Sequence, residues 1–276
     1  MNLQEVKKIY KSLLLLEARL LMSARDTDLR QIRKEMQAEM EDLFRLQGYH
    51  FLREFAAYKS EFIQESFTDA DVGRIWGKVA LKTQGKLINI ITKATAKSLE
   101  KGYNRLAKAV GWGVELSFNL KNPRAVEFLR NNAALKVTNI NETTRKEIAR
   151  IVTKGTEEGL SYQKMAQEIK NKFAEFSEPK PQLHIRNRAE LVAVTETANA
   201  YETGNQIFVQ DLQDRGLRVI KAWSTVGDDR VSEGCEENEN EGWINNDDVF
   251  PSGDMHPPRF PGCRCTCLYD TIVEVA

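Results

Sequence analysis

Apolar residues recur at alternating steps of three and four in two series near the start of the chain. The first series is Val6, Ile9, Leu13, Leu16 and Leu20, and the second is Leu29, Ile32, Met36, Met40 and Leu43. This is heptad spacing, which is typical of helices that pack along a seam. A polar break at Asp26–Asp28 separates the two series. The pattern therefore predicts a long antiparallel hairpin, a seam that awaits a partner helix, or ordinary packing within the chain.

A second helix is predicted to begin after Thr68, because Asp71 follows it at the spacing of an N-terminal capping signal. Its candidate binding residues are Arg74, Lys78, Lys82, Lys86, Lys93, Lys97, Lys101 and Arg105. At about 100° per residue these positions spread over more than half of the helix circumference. Such a basic surface suits DNA phosphates or an acidic protein, and simple solvation is the alternative.

The helical pattern is interrupted at Gly111-Trp112-Gly113, which predicts a junction near residue 115. We expect an α+β protein that is mainly α, with an extended helical N-terminal arm over 1–115 and a compact C-terminal α+β module over 116–276. Three helices are predicted in the module: one at Thr143–Thr153, one that begins after Ser161, and one from Ile185 to about Gly204. Two strands are predicted after them, at Leu217–Trp223 and Cys265–Val273.

Charge is balanced overall but not locally. Lys plus Arg and Asp plus Glu each number 40, yet the segment from Asp228 to Asp254 holds ten acidic residues and one basic residue, Arg230. That segment would repel DNA and the basic helix would attract it, so we expect the two ends to meet different partners. The longest apolar run, Leu13–Leu16, is far short of the roughly 20 residues that a membrane span needs. There is no glycine-rich phosphate loop, which argues against an ATP-driven role.

Three of the four cysteines, Cys263, Cys265 and Cys267, lie within five residues near the C-terminal end. We see no secretory signal, so these thiols are expected to be reduced or to bind a metal. Alternate residues of a strand project from one face, and zinc takes four thiolate or imidazole ligands. The candidate metal ligands are Cys235, His256, Cys263, Cys265 and Cys267, with a structural zinc ion (Zn2+) as the expected cofactor. The alternative is that the cysteines are buried as small apolar residues.

Several segments resemble, in the right order, the phage Mu F-like family of head morphogenesis and minor head proteins. They are RAELVAVTETANAYETG from Arg188, Lys221-Ala222-Trp223, Asp229-Arg230-Val231, the paired prolines Pro257-Pro258, and Cys263-Arg264-Cys265. The resemblance covers roughly Asn122 to Asp270. The chain differs from the family at Arg259, where members commonly have a histidine, so His256 and Cys267 both stand as candidates for the fourth ligand.

The resemblance implies a component of a tailed phage or prophage head that is associated with the portal vertex. Such a protein acts in head morphogenesis, DNA packaging or DNA ejection. The implied location is the virion, in the capsid interior near the portal, and the host cytoplasm during assembly. The implied partners are the portal protein, packaged double-stranded DNA, and scaffold or capsid protein, with no membrane and no catalytic residues.

Two enzyme alternatives are also compatible with the sequence. Arg218, Ser224-Thr225 and the pair Glu239 and Glu241 follow the order found in some ADP-ribosyltransferase toxins. A nuclease with His256 as a base beside a metal ion is the second alternative. It lacks a convincing catalytic metal site, because cysteine-rich ligand sets are usually structural.

Overall fold

The computed structural model describes residues 3–61, 68–110, 118–119, 121–178 and 187–272. These residues form six helices and three strands, namely α1 (Leu3–Glu61), α2 (Asp69–Val110), α3 (Pro123–Glu157), α4 (Tyr162–Ser177), α5 (Arg188–Gln213), β1 (Arg218–Ser224), α6 (Glu233–Glu241), β2 (Trp243–Asn245) and β3 (Thr266–Ile272). The prediction of a mainly helical α+β protein with a small sheet is confirmed. None of the described helices is long and apolar enough to cross a membrane.

Helix α1 runs without interruption through Asp26–Asp28, so of the three alternatives the hairpin is wrong at this point. The segment contains no proline or glycine that would end a helix. The apolar stripe also stays in phase, since Met22 and Leu29 are both buried and lie two turns apart. Of the first heptad series, the structure describes only the side chain of Leu20, which is 64% exposed.

Helix α2 begins with the predicted cap. The backbone N–H of Thr68 donates to Asp71 Oδ2 at 2.8 Å, and the Asp71 N–H donates to Thr68 Oγ1 at 3.4 Å. This reciprocal pair satisfies two backbone donors that the helix cannot pair internally. The junction predicted at Gly111-Trp112-Gly113 lies outside the described residues.

The later helices are present but longer than predicted. Helix α3 starts at Pro123, whose missing N–H costs nothing at the first helical position. Ser161 caps α4 as expected, since its Oγ accepts the Lys164 N–H at 3.3 Å.

The sheet has the strand order β2-β1-β3, and both strand pairs are antiparallel. In its register Lys221 lies opposite Tyr269 and Trp223 lies opposite Cys267. Strands β1 and β3 were predicted from the sequence, but no helix or strand was predicted in the acidic segment between them. That part of the prediction is wrong, because the segment contains α6 and β2, and Gly242 ends α6 at a φ of 77° that glycine adopts readily.

The chain forms two compact units, each built from separated stretches of sequence. One comprises Met1–Arg33, Thr95–Val126 and Val194–Ala276, and the other comprises Lys34–Ala94 and Glu127–Ala193. The first contains the sheet, and the second has an aromatic core that includes Phe44, Phe51, Phe173 and Phe176. The division into an arm over 1–115 and a module over 116–276 concerns separate roles and stays a prediction.

Candidate metal centre

Three of the predicted ligands come together in the first unit. The sulfur atoms of Cys235, Cys263 and Cys265 all lie within 4.8 Å of one another, and the three residues are buried. We call this set the cysteine cluster. If all three thiolates bound the same zinc ion at Zn–S distances of about 2.3 Å, their sulfur atoms would lie about 3.8 Å apart. The observed spacing therefore needs little adjustment to hold an ion.

Two different elements supply the cluster. Cys235 lies in the first turn of α6, where its backbone N–H donates to the Ser232 carbonyl at 2.9 Å. Cys263 and Cys265 lie in the irregular segment just before β3. A turn positions this segment, since the Cys263 N–H donates to the Phe260 carbonyl at 3.0 Å and Gly262 has a φ of 83°. The cluster therefore joins a helix to the start of a strand.

Apolar and cationic groups surround the cluster. Trp223 and Phe250 pack edge to face at 5.1 Å between ring centroids, and both belong to the same buried core as the cysteines. The guanidinium group of Arg259 lies so close to Gly234 that a Cβ there would be 2.7 Å from Arg259 Cζ. The indole N–H of Trp223 is buried and faces the sulfur of Cys265 as a hydrogen-bond donor. A buried donor of this kind suits a metal-bound thiolate, whose sulfur accepts hydrogen bonds.

The pKa values of the three cluster thiols are shifted in different directions. The Cys265 thiol donates to Cys263, and this hydrogen bond, with others from the Cys265 and Arg259 backbones, lowers the pKa of Cys263 to about 6. The same hydrogen bond, together with burial, raises the pKa of Cys265, and the Trp223 indole acts in the opposite direction. Burial raises the pKa of Cys235. An ion that bound the cluster would displace the protons that the thiols still carry.

The other two predicted ligands lie outside the cysteine cluster. His256 precedes the cis peptide between Pro257 and Pro258, and its Nδ1 lies 2.6 Å from the Pro257 carbonyl oxygen, to which it donates. Cys267 lies in β3 opposite Trp223, and burial raises its pKa. The three closing cysteines do not share one strand face as expected, because β3 begins only at Thr266. The fourth ligand stays a prediction.

The predicted basic surface is exposed but partly neutralised. Lys78 and Lys82 donate to the two carboxylate oxygens of Glu54 at 3.3 and 2.7 Å, and Lys93 donates to Glu39 at 2.7 Å. Arg74 pairs with Asp71. The sequence pattern of α2 could not show the pairs with α1, because the acidic residues lie 24 to 54 positions away.

The remaining basic residues of that surface, Lys86, Lys97, Lys101 and Arg105, are also exposed. No carboxylate partner is seen for Lys86, Lys101 or Arg105 within the described part of α2 and its neighbours. Charge available to a partner is therefore concentrated at fewer positions than the sequence suggested, and nucleic-acid binding stays a prediction.

The ADP-ribosyltransferase alternative is not supported by the arrangement of its residues. Arg218 and Ser224 are the first and last residues of β1, about 20 Å apart along the strand. Glu239 is engaged by Thr225, whose N–H and hydroxyl each donate to its carboxylate at 2.8 Å. Thr225 and Glu239 therefore lie together, but Arg218 lies at the opposite end of β1 from them. The nuclease alternative lacks a catalytic metal site, since the cluster consists of three buried thiols and cysteine-rich sets are usually structural.

The region that contains the cluster matches a known family. Residues 146–268 match the family described as phage Mu protein F like protein. The match begins within α3 and ends within β3, so it includes α4, α5, α6 and all three cysteines of the cluster. No curated protein and no solved structure gives a significant match to the chain.

Proposed function

We propose that this chain, which carries a domain of the phage Mu protein F like family over residues 146–268, is a minor head protein of a tailed phage or prophage. Its role is structural, and a bound zinc ion holds its C-terminal segment in shape. The observation that carries the proposal is the buried cysteine cluster inside the matched region. Buried sets of thiols that link two elements are typical of structural zinc sites.

In this proposal Cys235, Cys263 and Cys265 hold the ion. Soft thiolate ligands favour zinc over magnesium or calcium, and the ion would crosslink α6 to the start of β3. His256 is the proposed fourth ligand, because its Nδ1 donates to the Pro257 carbonyl and leaves Nε2 with a free lone pair. Cys267 is the weaker candidate, since the register with β1 fixes it opposite Trp223.

The portal protein is the proposed main partner, at the portal vertex inside the capsid. Packaged double-stranded DNA and the scaffold or capsid protein are further proposed partners during morphogenesis, packaging or ejection. Support for this finer assignment comes from the family domain and from the exposed basic residues of α2. The acidic segment around α6, with Glu236, Glu237 and Glu241, suits a protein partner better than DNA.

The test of the head assignment is to delete the gene from the phage or prophage that encodes it. We expect fewer heads that contain DNA, or heads that fail to deliver it, with rescue by the wild-type gene. Mass spectrometry of purified heads should find the protein at a few copies per portal. Its absence from heads, together with normal assembly and infection by the deletion phage, would refute the assignment.

A further inference from the structure

A buried arginine from α1 contacts the backbone that carries two of the cluster cysteines. Arg25 Nη1 donates to the Cys265 carbonyl at 2.6 Å, and Arg25 Nη2 donates to the Arg264 carbonyl at 3.0 Å. The side chain of Arg25 is only 3% exposed. The two carbonyls belong to the irregular segment before β3, where strand pairing does not satisfy them. Arg25 therefore supplies donors that the buried backbone would otherwise lack.

Glu202 of α5 completes the arrangement from the other side. Its Oε1 accepts from Arg25 Nη1 at 3.1 Å and from the Thr266 hydroxyl at 2.6 Å, and its Oε2 accepts from Asn205 at 3.3 Å. The carboxylate is fully buried, so it balances the charge of Arg25 in a region without solvent. Thr266 directly follows Cys265, so three consecutive residues are held by one buried ion pair.

A third contact holds the segment on the side of Cys263. The Gly262 N–H donates to Thr195 Oγ1 of α5 at 3.0 Å. The segment is thus held at Gly262, just before Cys263, and again at Cys265 and Thr266. Metal affinity depends on how well the ligand sulfurs are held in place before the ion binds, and outer groups that orient ligands contribute strongly to it.

We infer that Arg25 is a positioning residue of the metal centre, and that ion binding at the cysteine cluster and packing of α1 around Arg25 are thermodynamically coupled. The inference rests on the proposed zinc site and adds a regulation to it. An ion that orders the carbonyls of Arg264 and Cys265 also orders the guanidinium group that binds them. Coupling is reciprocal, so loss of the ion should loosen α1 near Arg25.

The first test measures zinc affinity by competition with a chromophoric chelator. Arg25→Met should weaken zinc binding by about 10- to 100-fold, the range typical for the loss of an outer group that orients a ligand. Arg25→Lys should fall between this variant and the wild type, because an ammonium group keeps the charge but cannot reproduce the planar fork. Arg30→Gln, at an exposed position of the same helix, is the control and should bind zinc like the wild type.

The second test needs no variant and therefore does not depend on whether Arg25→Met folds. Hydrogen exchange of the wild type is compared with zinc bound and after chelation. Amides at residues 20–33 should exchange about tenfold faster without zinc, while those of α4 should not change.

The outcomes separate the two proposals. If the wild type binds no zinc, both the zinc site and the coupling are refuted. If the wild type binds zinc but Arg25→Lys binds equally well and exchange at residues 20–33 does not respond, the coupling alone is refuted. Weaker binding by the Arg25 variants, with a response at residues 20–33, supports both.

Discussion

Gly204 of α5 lies directly against the backbone of Leu99 in α2. A Cβ built at position 204 would come within 2.2 Å of the Leu99 carbonyl oxygen. A Cβ built at the neighbouring Gly102 would come within 2.0 Å of the Tyr201 carbonyl oxygen. Both glycines are thus required by the close approach of the two helices within the first unit. Neither glycine has a positive φ, so backbone conformation is not the reason that glycine is needed at these positions.

Gly204→Ala should destabilise the protein by about 3 kcal/mol, because backbone atoms of α2 must shift to admit a methyl group. Chemical denaturation followed by circular dichroism measures this change. Gly85→Ala is the matched control, since a Cβ there meets nothing within 4 Å. That variant should gain up to about 1 kcal/mol from the better helix propensity of alanine. Equal effects at the two positions would contradict the close approach.

The cap of α2 predicts a specific dependence of stability on pH. Burial alone would raise the pKa of Asp71, but hydrogen bonds from Thr68, Tyr58 and Arg74 outweigh it and lower the pKa to about 2. Because the folded pKa is below the ordinary aspartate value of 3.8, the carboxylate contributes stability above that value. This contribution, about 1 to 2 kcal/mol, is lost as the pH falls from about 4 towards 2.

Asp71→Asn should therefore lower the free energy of unfolding at pH 6, and the difference from the wild type should shrink below pH 4. Asp69→Asn changes an exposed carboxylate in the same turn and serves as the control. We expect it to alter stability by no more than about 0.5 kcal/mol. A difference between Asp71→Asn and the wild type that stays constant down to pH 2 would exclude the proposed role of the cap.

The cap itself shows what local sequence could predict. Thr68 and Asp71 are three residues apart, and their interaction depends on one helical turn alone, so the spacing sufficed. Helix α6 was missed because its sequence EGCEENENE has no apolar periodicity, and its formation depends on packing of Cys235 and Asn238. Contacts between distant positions were also beyond prediction. Arg25 and Cys265 are separated by 240 positions, and nothing near Arg25 in the sequence marks it as a partner of the cysteines.

The candidate site was likewise only partly predicted, because its geometry also depends on contacts between distant positions. The closing cysteines and Cys235 were recognised by residue type, and three of them do come together. Which sulfur joins the set depends on where β3 begins, and an alternating pattern of cysteines does not specify that residue. The basic positions of α2 were likewise recognised, but their pairing with Glu54 and Glu39 depends on how α1 packs against them.

Metal content distinguishes the cluster from the remaining cysteine. Cys235→Ser, Cys263→Ser and Cys265→Ser should each reduce bound zinc from about one ion per chain to almost none, because each removes a thiolate ligand. Cys267→Ser is the control and should retain zinc, whereas His256→Ala should bind it more weakly. Elemental analysis and thiol titration with and without chelator measure both effects. Zinc loss in Cys267→Ser with full retention in His256→Ala would assign the fourth position to Cys267 instead.

Nucleic-acid binding can be tested by comparing two groups of basic residues on α2. One group pairs with a carboxylate, and no carboxylate partner is seen for the other among the described residues. Lys78 and Lys82 already share the carboxylate of Glu54, so their charges are less available to DNA phosphates. Lys86, Lys101 and Arg105 are exposed, and replacing all three with Gln should weaken binding to double-stranded DNA. Each lost phosphate contact should also reduce the slope of log K against log salt by about 0.9.

The double variant of Lys78 and Lys82 to Gln is the matched control and should have the smaller effect, although it removes charges from the same helix. Fluorescence anisotropy over a range of salt concentrations measures both variants. A larger loss in the double variant would mean that DNA displaces Glu54 from the two lysines. If the wild type shows no salt-dependent binding, α2 meets an acidic protein surface or solvent instead of DNA, and the portal becomes the partner to test against these same variants.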